Sequence, residues 1–125
     1  MIAIRIEHPR SGKGLFTHYE STELGYKEGA NYLSDSNNFY KRHLNFPNPK
    51  DDKKIKRFIA KNEFCAFKSV EQLKEWVTTE EIKEFIEMGF KVLLLDLTVC
   101  IEGDFQILFK KEDISQSKDI TELFI

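Results

Sequence analysis

Four residues spread over most of the chain combine side-chain type and placement in a way that could serve a polar site: Arg5 and His8 near the start, Ser69 in the middle and Gln106 near the end. A guanidinium is a permanently charged fork of donors, while an imidazole, a hydroxyl and a carboxamide can each donate or accept. Brought to one cleft, the four would form a hydrogen-bonding pocket with one fixed positive charge. Each also has a plain structural reading. Arg5 would face solvent from a strand, His8 would close that strand ahead of Pro9, Ser69 would cap a helix, and Gln106 would sit on an exposed strand face.

Other chemistries find less support. His8, His18 and His43 lack metal-ligand spacing, and neither Cys65 nor Cys100 has a nearby partner in sequence, so a zinc site is not expected. Ser11-Gly12-Lys13-Gly14 reads as a turn, because a P-loop needs more glycine and a Ser or Thr after its lysine. There is no Gly-x-Ser-x-Gly elbow, and Cys65 and Cys100 both lie in apolar runs where a thiol behaves as a small hydrophobe.

The segments holding the four residues carry two resemblances. Arg5-Ile6-Glu7-His8-Pro9, the run from Cys65 to Trp76, and Gln106-Ile107-Leu108-Phe109 together resemble a widespread family of small uncharacterised proteins borne by phages and prophages. That likeness spans most of the chain and implies a phage accessory protein. The order of the residues is also similar to that in the ADP-ribosyltransferase superfamily, where an early-strand Arg or His holds NAD. In that superfamily a Ser at a strand end supports the nicotinamide side, and an acid or Gln on a later strand acts near the ribose.

This second resemblance implies a pocket for NAD or a related nucleotide, gripped by Arg5 or His8, shaped by Ser69 and with Gln106 at the catalytic position. Transferases carry glutamate there; an amide neither takes up a proton nor stabilises a developing cation as a carboxylate does. The likeness therefore implies nucleotide binding more than transfer. The rival reading is a non-catalytic inhibitor that binds a host protein, for instance a component of antiviral defence.

The elements that must position these residues follow from periodicity and caps. Ile2, Ile4 and Ile6 alternate with Ala3, Arg5 and Glu7, which predicts a strand over Met1–His8. Phe64–Phe67 predicts a second strand. Ser69 with Gln72, and Thr78 with Glu81, have capping-box spacing and predict helices over 70–77 and 79–88, with Gly89 as a left-handed stop. Val92–Ile101 reads as a central strand covered on both faces, followed by a tight turn at Glu102-Gly103 and a strand over Asp104–Lys110. A two-residue turn would put Asp96 on the face of Phe105, Ile107 and Phe109. The tail after Lys111 is polar until Ile120, Leu123, Phe124 and Ile125, which are expected to fold back as a short strand or turn of helix.

Between the first two strands the chain is hard to read. Thr17 to Asn48 is polar with a short helix expected around Asp35 to Leu44, and Tyr19, Tyr26, Tyr32 and Tyr40 offer either stacking surfaces or anchors to the core. Asn48-Pro49 opens a helix over 49–60 whose outer face is crowded by Lys50, Lys53, Lys54, Lys56, Arg57 and Lys61. Without a nucleic-acid motif this basic helix reads as a solvated face, whereas the later helical pair is acidic outside.

A chain of 125 residues with formal charge −2 and 41% hydrophobic residues suits one soluble domain with its own core. With no secretory-type leader and no apolar run long enough to span a bilayer, the chain is expected to be cytoplasmic with free thiols, and neither a membrane nor nucleic acid is an expected partner. The expected fold is a single α+β domain over residues 1–125, a mainly antiparallel sheet packed against about three helices.

Overall fold

The computed structural model describes residues 1–9, 14, 33–36, 39, 62–104 and 106–125, together with the backbone of 19–21 and 26–28. Its strands are β1 (Ile2–Glu7), β2 (Tyr19–Ser21), β3 (Tyr26–Glu28), β4 (Glu63–Ala66), β5 (Lys91–Leu97), β6 (Ile101–Glu102), β7 (Ile107–Lys110) and β8 (Ile114–Asp119). Helices α1 (Val70–Trp76) and α2 (Thr79–Glu87) lie between β4 and β5, and 3-10 turns occupy Lys111–Asp113 and Thr121–Phe124.

The alternation in β1 has a consequence on both of its faces. Ile4 and Ile6 point toward the helices, joining Leu73, Trp76, Val77, Ile82, Phe85, Phe90 and Val92 in one core. Ala3 points the other way, into a second core with Leu95, Leu97, Ala66, Ile107 and Phe109. β5 lies between β1 and β8 in an antiparallel sheet, with Leu94 opposite both Ile4 and Lys118. Its two faces feed the two cores, which is why its sequence is apolar almost without a break. Burying each such side chain contributes roughly 1.5–3 kcal/mol, so a strand that feeds two cores anchors the fold.

The second sheet, ordered β4-β7-β6, folds over the face away from the helices. The two sheets meet at Ile4 and Phe67, whose backbones exchange hydrogen bonds of 2.9 and 2.7 Å. Phe67 then sets its ring edge against Trp76 of α1 at 5.6 Å between centroids, so this one residue ties both sheets to the helical layer. Leu33 and Phe39 come from the segment before β4 and complete the helical core.

Several expectations are corrected. The strands form two three-stranded antiparallel sheets and the hairpin β2–β3, not one sheet. The described residues hold two α-helices rather than about three. The helix expected over 49–60, the side chains of Tyr19, Tyr26, Tyr32 and Tyr40, most of the helix expected around Asp35 to Leu44, and residues 11–13 lie outside the described residues.

The strand read as Val92–Ile101 stops at Leu97, and Ile101 and Glu102 belong to the other sheet, opposite Leu108 and Ile107. The turn at Glu102-Gly103 is a four-residue connection closed by Gly103 N–H donating to the Gln106 carbonyl at 2.8 Å. Asp96 therefore faces Ile2 and Gln116, not the strand that carries Ile107 and Phe109. The polar tail contains β8, an edge strand whose residues Ser115 to Asp119 are all exposed. With no buried face it leaves no apolar alternation to read. Ile120 and Phe124 after it do fold back into the core, as a 3-10 turn.

Candidate functional site

Arg5 is 5% exposed, against the plain expectation of a solvent-facing strand residue. Alternation puts it on the Ala3 face of β1, under the second sheet. Its Nη1 donates to the Cys65 carbonyl at 2.6 Å and its Nε to Glu7 Oε1 at 2.8 Å. The guanidinium carbon stands 5.1 Å from the Phe64 ring centroid and 5.7 Å from that of Phe109. Lys111 adds a second cation, pairing with Glu7 and standing 4.8 Å from the Phe64 centroid. A buried charge needs this degree of partnering. Glu7, Phe64, Phe109 and Lys111 were not foreseen as a group, although the spacing of Arg5 and Glu7, two apart on one strand, was a signal for the first pair.

His8 belongs to the opposite face of β1, beyond Ile4 and Ile6. It is 5% exposed, with Nε2 3.1 Å from the Met88 carbonyl and its ring edge against Phe90 at 5.2 Å. It seats on the turn that ends α2. There Gly89 N–H donates to Ile86 O at 2.9 Å and Phe90 N–H to Phe85 O at 3.0 Å, the paired bonds of a Schellman stop. Gly89 has φ of 102°, as expected of the left-handed stop, and Phe90 meets Phe85 at 5.2 Å between ring centroids. Arg5 and His8 thus face opposite sides of one strand and do not grip a common ligand from the same side.

Ser69 is the N-cap of α1, its Oγ accepting from Gln72 N–H at 3.1 Å. The return bond differs from expectation: Gln72 Oε1 accepts from Lys68 N–H at 2.7 Å, one residue before the cap. Thr78 and Glu81 make the full reciprocal box, at 3.1 and 2.9 Å. Glu81 is consequently buried.

Gln106 precedes β7 and is 8% exposed, so it too is interior where a surface position was the plain expectation. Its Nε2 is buried with no hydrogen-bond partner. An unmade bond of this kind costs about 1–3 kcal/mol.

Both thiols are free. Burial pushes the Cys65 thiol up to about 11, with Arg5 opposing and Glu63 adding to the rise. Cys100 is also raised, first by burial, with Glu102 and Asp113 adding to it and the terminal amine opposing. Neither is poised as a thiolate nucleophile. Among the described residues no group of three or more His, Cys, Asp or Glu is placed to hold a metal ion, and no helix is long and apolar enough to cross a membrane.

A shallow groove of about 370 Å³ is lined by Ile2, Leu94, Asp96, Gln116, Ser117 and Lys118, so none of the four candidate residues contributes to it. Of the six glutamates expected on the outside of the helical pair, Glu71, Glu75, Glu80 and Glu87 are exposed, with Lys74 and Lys83 among them, whereas Glu84 is half-buried and Glu81 is buried by its capping role.

The family model described as Bacteriophage T4 Y00F protein matches residues 1–122, and the chain belongs to that family. No curated protein and no solved structure matches it.

Proposed function

We propose that this phage-family protein acts in the cytoplasm of the infected cell as a non-catalytic module that binds a host protein, such as a component of antiviral defence, through the acidic face of α1 and α2. The observation that carries the reading is the inward commitment of Arg5, His8 and Cys65 among the described residues. Arg5 is used by Glu7 and the Cys65 carbonyl, His8 rests on the α2 stop, and the Cys65 thiol is held protonated. The exposed carboxylates of Glu71, Glu75, Glu80 and Glu87 are outward instead. Such a field speeds and orients docking on a basic partner. An affinity pull-down from host lysate should recover one stoichiometric partner, and Glu→Lys changes at these four positions should abolish recovery. Absence of such a partner, or recovery indifferent to the charge reversal, would sink the proposal.

A second reading is favoured by one observation, the buried Gln106 amide with no partner. A nucleotide carbonyl, hydroxyl or phosphate could accept from it, in line with the NAD pocket implied by the ADP-ribosyltransferase likeness. Calorimetric titration with NAD and with ADP-ribose tests this. Heat that disappears in Gln106→Ala supports it, and no heat at millimolar ligand rejects it.

A further inference from the structure

Two sulfur side chains meet at the end of the β1–β5 ladder remote from the Gly89 turn. The Cys100 thiol donates to the Met1 thioether across 3.5 Å. Burial does not account for the contact, since Met1 is 48% exposed and Cys100 only half-buried. The backbone does. Leu97 N–H donates to the Met1 carbonyl at 2.8 Å and the Met1 amine to the Leu97 carbonyl at 2.9 Å, which clamps Met1 to the last residue of β5. On the other side, Thr98 N–H and hydroxyl both donate to the Asp113 carbonyl, at 2.9 and 3.2 Å, and fix the link that carries Cys100. The sulfurs are thus brought together by hydrogen bonds in which neither side chain takes part, an arrangement that leaves little ordering to be done when a ligand arrives.

The donors select what such a site takes. A thiolate and a thioether are soft ligands, which favour Cu(I) over the hard cations. With metal–sulfur bonds of about 2.3 Å, sulfurs 3.5 Å apart can both reach one ion. Zinc takes a four-ligand shell of thiolate, imidazole or carboxylate, and no group of three or more His, Cys, Asp or Glu stands here among the described residues. We propose that Met1 and Cys100 form a binding site for a soft monovalent cation, Cu(I), held between the Cys100 thiolate and the Met1 thioether. On binding, the ion replaces the thiol proton, which passes to solvent, and the charges of thiolate and cation cancel. The ion keeps its oxidation state. The site uses none of Glu71, Glu75, Glu80 or Glu87 and stands whether or not that face binds a host protein.

The test is anaerobic titration of the reduced protein with Cu(I) in competition with the chromophoric chelator bathocuproine disulfonate. One ion should bind per chain. Cys100→Ser exchanges a single atom, so the fold is retained, and it should weaken binding by about tenfold or more, whereas Cys65→Ala should leave it within about twofold. Selenium tests the thioether. The chain has two methionines, so Met88→Leu, a volume-conserving change, leaves Met1 as the sole position for selenomethionine. Copper-edge X-ray absorption of that protein should then show selenium bonded to the ion, and the selenium neighbour should vanish in Cys100→Ser. Undetectable Cu(I) binding, unchanged affinity in Cys100→Ser, or loss that follows Cys65 instead overturns the proposal. So does copper bound with no selenium neighbour, which would mark a surface thiol acting alone.

Discussion

Gly89→Ala is the substitution whose effect the structure specifies most fully. A methyl carbon at this position would lie 2.8 Å from His8 Nε2, inside any normal contact distance, and the backbone there has φ of 102°. The left-handed conformation costs a residue with a Cβ about 1–2 kcal/mol. His8 cannot swing aside freely, being 5% exposed with its ring against Phe90. Forcing it out adds about 1–3 kcal/mol of overpacking and threatens the 3.1 Å contact with Met88 O, worth about 1 kcal/mol if lost. The expected total is about 3–6 kcal/mol, read as a lowered midpoint in urea unfolding with an unchanged slope.

The double variant His8→Ala/Gly89→Ala separates the two sources. Removing the imidazole abolishes the clash but not the backbone strain, so Gly89→Ala should cost only about 1–2 kcal/mol in that background. A cost below about 1 kcal/mol in the parent, or strict additivity in the cycle, would refute the claim that His8 and the α2 stop are packed as one unit.

Further expectations follow from the same kind of reasoning. Arg5→Ala leaves the Cys65 carbonyl without its guanidinium donor, and should destabilise by about 3 kcal/mol in urea unfolding, with Arg5→Met milder because its stem still packs between Phe64 and Phe109. Thr78→Ala should cost about 1 kcal/mol and Thr78→Ser close to nothing, since only the hydroxyl cap on Glu81 N–H is at stake. At mildly alkaline pH iodoacetamide should label Cys100 well before Cys65; equal rates would contradict the burial assigned to Cys65. The Cys65 thiol is raised from 9.0 to about 11 on folding, so its protonated form is favoured in the native state. That stabilisation is complete below pH 9 and lost as pH rises toward 11, by at most about 3 kcal/mol, and Cys65→Ala should remove this part of the alkaline destabilisation.

What could be read in advance was local. The two helices, their Ser69 and Thr78 caps, the Gly89 stop, and the strands around Ile4, Phe64 and Leu95 all follow from spacing within about ten residues, where backbone donors and apolar stripes have few alternatives. β8 was not legible, because a strand exposed along Ser115 to Asp119 is held by its ladder to β5 and not by a pattern of its own. The break after Leu97 was hidden for the converse reason: Val99, Cys100 and Ile101 continue the apolar run although they are no longer part of the strand.

The candidate site shows the same division. Sequence alone determined that Arg5 and Glu7 share one face of β1 and that His8 falls on the other, because side chains alternate along any strand. It also fixed Ser69 as a cap. Only the tertiary structure decided that both faces of β1 are covered. The second sheet closing over Arg5 turns an expected surface charge into a buried, paired one, and α2 ending at Gly89 gives His8 its seat. Burial depends on which layers meet, and those contacts join residues 60 and 80 positions apart, beyond the reach of any local pattern.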